Sequence, residues 1–141
     1  MSTREHGESP QAITAVKEAF AWFNRLFDEH REVSREDVER HFTSDAIMIT
    51  NNVSKCTGIE AHVKHFNDLI AKMPFAEVLP FDLILDGQDR AAAHYRIIFR
   101  AANGDAGTVY ITAIWDVRDG KIARMTETSH IEGPQISIEE Y

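Results

Sequence analysis

The chain has 141 residues, the usual size of one domain, with 43% hydrophobic and 27% charged residues. Its 15 basic and 23 acidic residues give a net charge of −8, which repels a phosphate backbone, so we expect no nucleic-acid partner. No apolar stretch approaches the ~20 residues of a membrane-spanning helix. The polar first residues hold no signal-peptide core, so we expect a cytoplasmic protein with no membrane partner. The single cysteine, Cys56, excludes an internal disulfide and a multi-cysteine zinc site.

The first half of the chain has mainly helical patterns. Residues 1–9 are polar, and we expect them to be flexible, whereas Ser9-Pro10 is typical of a helix start. Apolar residues then recur every three or four positions, which predicts an amphipathic helix over 10–30. Ser34 and Asp37 predict a capped short helix. Residues 45–50 form a strand pattern, and Thr57 with Glu60 predicts a capping box for a third helix over 58–73.

The second half has strand patterns. Four runs, 78–86, 89–101, 107–118 and 121–131, are separated by Gly87, Asn103-Gly104 and Asp119-Gly120, which favour tight turns. We therefore predict an α+β fold in which the long first helix lies in the concave side of a curved antiparallel sheet. The domain is expected to span 10–132, followed by a tail of residues 133–141.

The order of these elements resembles the nuclear transport factor 2-like superfamily, which includes ketosteroid isomerases, SnoaL-type polyketide cyclases and limonene-epoxide hydrolases. The resemblance covers roughly residues 10–132. It rests on Phe42-Thr-Ser-Asp-Ala-Ile leading into Thr57-Gly-Ile-Glu60, and on Trp115-Asp-Val-Arg-Asp-Gly-Lys-Ile122 at the last hairpin. The resemblance implies that the curved sheet and the long helix form a cone that encloses a mostly apolar pocket. It also implies dimerisation through the outer face of the sheet. It does not fix a function, because this fold hosts several chemistries and many proteins that are not enzymes.

Strand alternation and the resemblance together predict which side chains line the pocket. Glu127 is the only carboxylate that the alternation directs inward from a strand. The other predicted lining residues are Phe20, Phe23, Phe27, Met48, Thr50, Tyr95, Phe99, Ala113, Trp115, Met125 and Ser129.

The opposite sheet face is basic, aromatic and partly apolar. It carries His94, Arg96, Ile98, Arg100, Tyr110 and Ile114. Such a mixture suits either a homodimer interface or a solvated sheet face, and the dimers implied by the resemblance favour the former.

The resemblance also allows two known chemistries to be tested. Ketosteroid isomerisation uses a carboxylate base, with an oxyanion hole of a tyrosine and a protonated carboxylic acid. The corresponding positions here are Thr50, Phe23 and Ala113 or its neighbour Thr112, so the isomerase groups are absent.

Epoxide hydrolysis in this superfamily uses an Asp–Arg–Asp set directed into the cone. Alternation assigns Arg96, Arg100 and Asp116 to the outer face. We therefore do not expect epoxide-hydrolase activity either.

Glu127 remains as a candidate acid or base, because burial raises the pKa of a carboxyl group. The alternative is a structural role at the rim, paired with Arg124 or with a helix residue. His62 and His65 have a spacing that can hold a metal, but no third ligand is evident and both are expected on a solvated helix face. We therefore expect no metal and no cofactor.

Two hypotheses of different classes follow. In the first, the protein binds a hydrophobic small molecule without catalysis, or serves as an oligomeric accessory subunit. In the second, it is a proton-transfer enzyme (isomerase, cyclase or dehydratase) that uses Glu127 as acid or base. The missing isomerase groups favour the first.

Overall fold

The computed structural model describes residues 11–132, which form three helices and seven strands. The predicted terminal segments and the Ser9-Pro10 helix start lie outside these residues. The helices are α1 (Ala12–Glu29), α2 (Arg35–His41) and α3 (Ile59–Lys72). The strands are β1 (Phe42–Thr50), β2 (Val53–Thr57), β3 (Phe75–Val78), β4 (Leu83–Asp86), β5 (Arg90–Arg100), β6 (Ala106–Arg118) and β7 (Lys121–Glu132).

All seven strands belong to one curved, unclosed sheet in the order β2-β1-β7-β6-β5-β3, with β4 also paired to β5. The strands β5, β6 and β7 are long and antiparallel, as their turn signals predicted. The first strand pairs in parallel with β7. The sheet is therefore mixed, and the expectation of a purely antiparallel sheet was wrong. The α+β cone itself is confirmed, with α1 packed against β3, β5, β6 and β7.

The long helix forms because its apolar residues recur at helical spacing and face the sheet. Its buried side includes Val16, Trp22 and Leu26, each at most 2% exposed. The helix begins at Ala12, where the side chain of the N-cap residue makes no capping hydrogen bond. Instead, the Ile13 amide donates to Asp86 Oδ1 of β4 at 3.2 Å. A side chain distant in sequence thus caps the helix.

The second helix has the capping box that the sequence predicts, with Ser34 and Asp37 bonded reciprocally. The capping box predicted for α3 was wrong. Thr57 is instead the last residue of β2, and Gly58 precedes the helix with φ +88°, a conformation that glycine adopts without strain. The chain therefore turns sharply at Gly58, between β2 and α3.

Two strand predictions also needed correction. Asn51 and Asn52 form a turn after β1, with φ of 50° and 68°, and this turn leads into the unpredicted strand β2. The run 78–86 is not one strand: β3 ends at Val78, where the run begins, and β4 occupies only Leu83–Asp86. The two strands pair with different halves of β5. Pro80, which lies between them, has no N–H to donate to a sheet.

The inner and outer faces of β5 and β6 alternate as predicted. Tyr95 and Trp115 are buried, whereas His94, Arg100 and Ile114 are exposed. Among the described residues, no helix is long and apolar enough to cross a membrane.

Candidate functional site

A cavity of about 110 Å³ lies between the helices and the concave face of the sheet. Its wall is mostly apolar and aromatic. The polar side chains on it are Thr50, Lys55, His65, Tyr95, Glu127 and Ser129. The apolar ones are Phe20, Phe23, Phe42, Met48, Phe66, Leu69, Met73, Val78, Ile97, Phe99, Val109, Ile111, Trp115, Ile122 and Met125.

Every residue predicted to line the pocket lies on this wall except Phe27 and Ala113. Phe27 is buried one turn beyond Phe23 on α1, and the two ring centroids are 5.0 Å apart. Ala113 is fully buried, and its side chain is a single methyl group. The prediction missed the wall contributed by Phe66 and Leu69 of α3 and by Met73, the residue that follows the helix.

An aromatic cluster closes one side of the cavity. The Phe20 ring lies 5.3 Å from Tyr95 and 5.7 Å from Trp115. Phe81, in the segment between β3 and β4, adds a third contact to Phe20 at 5.6 Å and stacks on Trp115. Edge-on and tilted contacts at these separations are favourable for aromatic rings, so this side of the wall is firmly packed.

Glu127 is the only carboxylate among the described wall residues. It pairs with Thr50 across β1 and β7, and Thr50 Oγ1 donates a 2.8 Å hydrogen bond to Glu127 Oε2. Burial raises the pKa of Glu127, while the Thr50 bond and the charge of Lys55 lower it. The alternative partner, Arg124, is exposed and donates to Thr126 Oγ1 instead.

The same buried environment also changes the pKa of the Tyr95 hydroxyl. Burial raises its pKa well above the ordinary value of 10.0, and the negative charge of Glu127 adds to this effect. Tyr95 therefore stays protonated at neutral pH and can offer a hydrogen bond to a ligand.

Asn51 fixes the end of β7 that carries Glu127. Its amide N–H donates to the Glu127 carbonyl at 2.9 Å. Its side-chain oxygen accepts from the Ser129 amide at 3.0 Å. The Asn51 side chain thus bonds to the backbone of β7. Together, the two hydrogen bonds of Asn51 hold the backbone of β7 at Glu127 and at Ser129.

The two histidines of α3 are not on a solvated face, so that prediction was wrong. His62 is only 1% exposed, and its Nδ1 lies 2.7 Å from the Gly58 carbonyl, to which it donates. His65 lines the cavity, and burial is the main cause that lowers its pKa to about 4. The spacing of His62 with Phe66 and Leu69 was a signal that this helix face is buried.

No group of three metal-ligating side chains occurs within residues 11–132. Cys56 is buried, and burial raises the pKa of its thiol to about 12, so the thiol is not an activated nucleophile.

Two arginines are held outside the cavity. Arg96 forms a bidentate pair with Asp82, with both contacts at 3.0 Å. Arg90 donates to Asp116 at 2.6 Å. Neither pair contributes to the described wall, so an Asp–Arg–Asp arrangement is not built there.

Several solved structures share this fold. A nuclear transport factor 2-like protein from Anabaena variabilis is 13% identical, with a TM-score of 0.71, covering 94% of this chain and 96% of its own. A limonene-epoxide-hydrolase-like epoxide hydrolase from Mycobacterium tuberculosis is 18% identical, with a TM-score of 0.65 and coverage of 84% and 82%. TerC, co-crystallised with polyporic acid, is 16% identical, with a TM-score of 0.66 and coverage of 82% and 88%. These identities establish the fold alone.

The family is established separately from sequence. A search of curated proteins gave no match. The SnoaL-like domain profile, however, matches residues 12–125, which include all three helices and most of the sheet. The chain therefore belongs to the SnoaL-like domain family, within the nuclear transport factor 2-like superfamily.

Proposed function

We propose that this protein binds a compact hydrophobic molecule inside the cone, with Glu127 contacting a polar group of that molecule. The observation that carries the proposal is a cavity whose wall is apolar and aromatic apart from six polar side chains. Its volume, about 110 Å³, is comparable to the ~150 Å³ apolar cavity that holds benzene in an engineered protein. A body of about one ring therefore fits, and apolar lining supplies affinity while the few polar groups set orientation.

A second candidate, a proton-transfer enzyme, is favoured by one specific observation. Burial raises the pKa of Glu127, and the Thr50 bond holds one carboxyl oxygen in place. A carboxylate with a raised pKa is a stronger base near neutral pH. On a carbonyl substrate, Glu127 would take a proton from the carbon next to the carbonyl and return it to another atom. The product would be an isomer, with no other reactant consumed.

Native mass spectrometry of protein purified from its own host tests the binding proposal. We expect a small molecule that is released on denaturation and is lost from the Val109→Phe variant, whose larger ring fills the cavity. The matched control is Thr112→Phe, on the exposed face of the same strand. Retention of the molecule by Val109→Phe would contradict binding in the cone. A protein that arrives empty and also fails to bind 4-nitrotoluene would overturn the proposal.

Deuterium exchange separates the two candidates. The ligand is incubated with the protein in D2O, and its C–H positions are followed by NMR. Exchange that is lost in Glu127→Gln, with binding retained, would establish proton transfer at Glu127. Binding without exchange in the wild type would leave a non-catalytic binding protein.

The outer sheet face supports a proposal about assembly: two copies of this chain associate through it. Leu85, Ala92 and Ile114 lie in one row across β4, β5 and β6. Leu85 is 68% exposed and Ile114 46% exposed. An apolar centre with polar groups around it is typical of an interface between copies.

A further inference from the structure

Two polar wall residues, Lys55 and His65, have no role in the function proposed above. They come from different elements, β2 and α3, and both line the cavity. Lys55 is the only cation among the described wall residues apart from any protonated histidine. Lys55 is half-buried, and the pairing of β2 explains how its side chain comes to line the cavity.

A β-bulge directs Lys55 toward the cavity. In the pairing of β1 with β2, Met48 lies opposite Cys56, but Ile49 lies opposite Ser54. Lys55 is thus the extra residue of the bulge. In a regular strand, Lys55 and Cys56 would point to opposite faces. Here Cys56 is buried and Lys55 still lines the cavity, because a bulge redirects a side chain.

The positive charge of Lys55 acts on both neighbouring titratable groups. It lowers the pKa of Glu127 and the pKa of His65. Around His65, the charges of His62 and Lys72 act in the same direction and that of Asp68 opposes them. Burial is the largest cause of the lowered pKa of His65, and with these charges it keeps the ring neutral at physiological pH. A neutral imidazole can donate one hydrogen bond and accept another.

We propose that Lys55 and His65 form a subsite for the oxygen of an acidic hydroxyl group, such as that of a phenol or an enol, on the hydrophobic ligand. This inference rests on the proposed function and names its ligand class. Lys55 offers positive charge to the oxygen, His65 offers an N–H, and the Glu127 carboxylate accepts a hydrogen bond from the hydroxyl, which keeps its proton. A permanently ionised carboxylate ligand fits less well, since it brings no proton to share with Glu127.

The test compares 4-nitrophenol with 4-nitrotoluene, which replaces the hydroxyl by a methyl group of similar size. By calorimetry at neutral pH, we expect the wild type to prefer the phenol. In Lys55→Met that preference should fall at least about tenfold, the effect of one nearby charge, while affinity for nitrotoluene changes little. The matched control is Lys64→Met on α3, because Lys64 is 78% exposed and paired with Asp68.

A second readout is spectroscopic. Ionised 4-nitrophenol absorbs at longer wavelength than the neutral form. Glu127→Gln removes the negative charge that disfavours a phenolate and leaves the positive charge of Lys55, so bound phenol should be more ionised than free phenol at the same pH. Adding Lys55→Met should abolish that excess. His65→Phe should weaken phenol binding about fivefold relative to nitrotoluene, as expected for one lost hydrogen bond.

The outcomes separate this inference from the proposed function. Failure of both probes to bind would overturn the proposed function and the subsite together. Binding of nitrotoluene with no preference for the phenol would overturn the subsite alone. An equal phenol preference in Lys55→Met and the wild type would do the same, and so would a stronger preference for benzoate than for the phenol.

Discussion

Thr50 and Glu127 are register partners in the parallel pairing of β1 with β7, and the Thr50 hydroxyl donates to the Glu127 carboxylate at 2.8 Å. They are 77 residues apart in sequence. Two opposing influences therefore meet at Glu127. Burial disfavours its charged form, and the hydroxyl together with Lys55 favours it. The net result is a raised pKa, which makes this carboxyl group sensitive to changes in its surroundings.

Removing the hydroxyl in Thr50→Val should raise the pKa of Glu127 further, because the variant keeps the burial and loses the bond. A pH titration of the Glu127 side-chain carboxyl carbon by NMR measures this shift. Thr128→Val, at an exposed position of β7, is the matched control and should leave the titration unchanged. An unaltered midpoint in Thr50→Val would mean that the bond does not influence ionisation.

Glu127→Gln should stabilise the protein at neutral pH. The pKa of Glu127 is higher in the folded protein than its usual 4.5, so the unfolded chain releases this proton first as pH rises. Stability is then lost between that usual value and the folded pKa, and it stays lost above it. The Glu127→Gln variant does not lose this stability, because glutamine does not ionise. Urea unfolding should show its advantage at pH 7 and little difference at pH 4.

Glu77→Gln is the control for that comparison, because Glu77 is exposed on β3. It should follow the wild type at both pH values. A wild type that is more stable than Glu127→Gln at pH 7 would show instead that the ionised carboxylate is stabilised by its partners more than it is disfavoured by burial.

Acidification should destabilise the protein through His65. Its pKa falls from 6.5 to about 4 on folding, so the unfolded chain takes up a proton that the folded protein excludes. Stability contributed by the neutral ring is complete above pH 6.5 and is lost as pH falls toward 4. The loss through this one group is at most about 1.4 kcal/mol per pH unit.

The measurement is the pH dependence of urea unfolding for the wild type and His65→Phe. The variant should have the shallower slope between pH 6.5 and 4. His41 and His62 also have lowered pKa values, so both proteins keep a residual slope. If the two proteins had equal slopes, the His65 ring would be exposed to water in the folded protein.

The cap supplied by Asp86 to α1 gives a prediction about stability alone. Asp86→Ala removes the acceptor of the Ile13 amide and should cost about 1 kcal/mol, the usual effect of losing a helix cap. Asp86→Asn keeps an oxygen acceptor and should recover most of this loss. Chemical denaturation measures both, with Asp89→Ala, in the exposed segment before β5, as control. A loss below about 0.3 kcal/mol in Asp86→Ala would contradict the cap.

Strand alternation predicted much of the cavity wall, because side chains on a regular strand follow a two-residue period. That rule places Tyr95, Trp115 and Glu127 on the correct face without any knowledge of the helices. It was not applied to Lys55, because β2 was not predicted as a strand, and the bulge there shifts the period by one residue. Nothing local in the sequence marks that bulge, which depends on how β2 pairs with β1.

The histidines of α3 show a different limit. His62 and His65 are polar, and polarity alone suggests a solvated face. The structure buries His62 because the Gly58 carbonyl accepts its N–H, and a satisfied polar side chain can occupy a core position. The helix cap of Asp86 is equally hidden from local sequence, since its partner lies 73 residues away. Long-range pairing thus decides the details that sequence patterns leave open.

The proposed homodimer predicts the effect of charges on the outer sheet face. Leu85→Asp combined with Ile114→Asp places two carboxylates in one row of the interface, where burial and mutual repulsion oppose association. Sedimentation should show a shift from dimer to monomer. Arg100→Glu combined with Ile98→Asp, on the same face of β5, should act in the same direction. Val53→Asp is the control, because Val53 is 51% exposed on β2, at the other end of the sheet. A wild-type monomer, or a mass that these charges leave unchanged, would mean that this face is solvated.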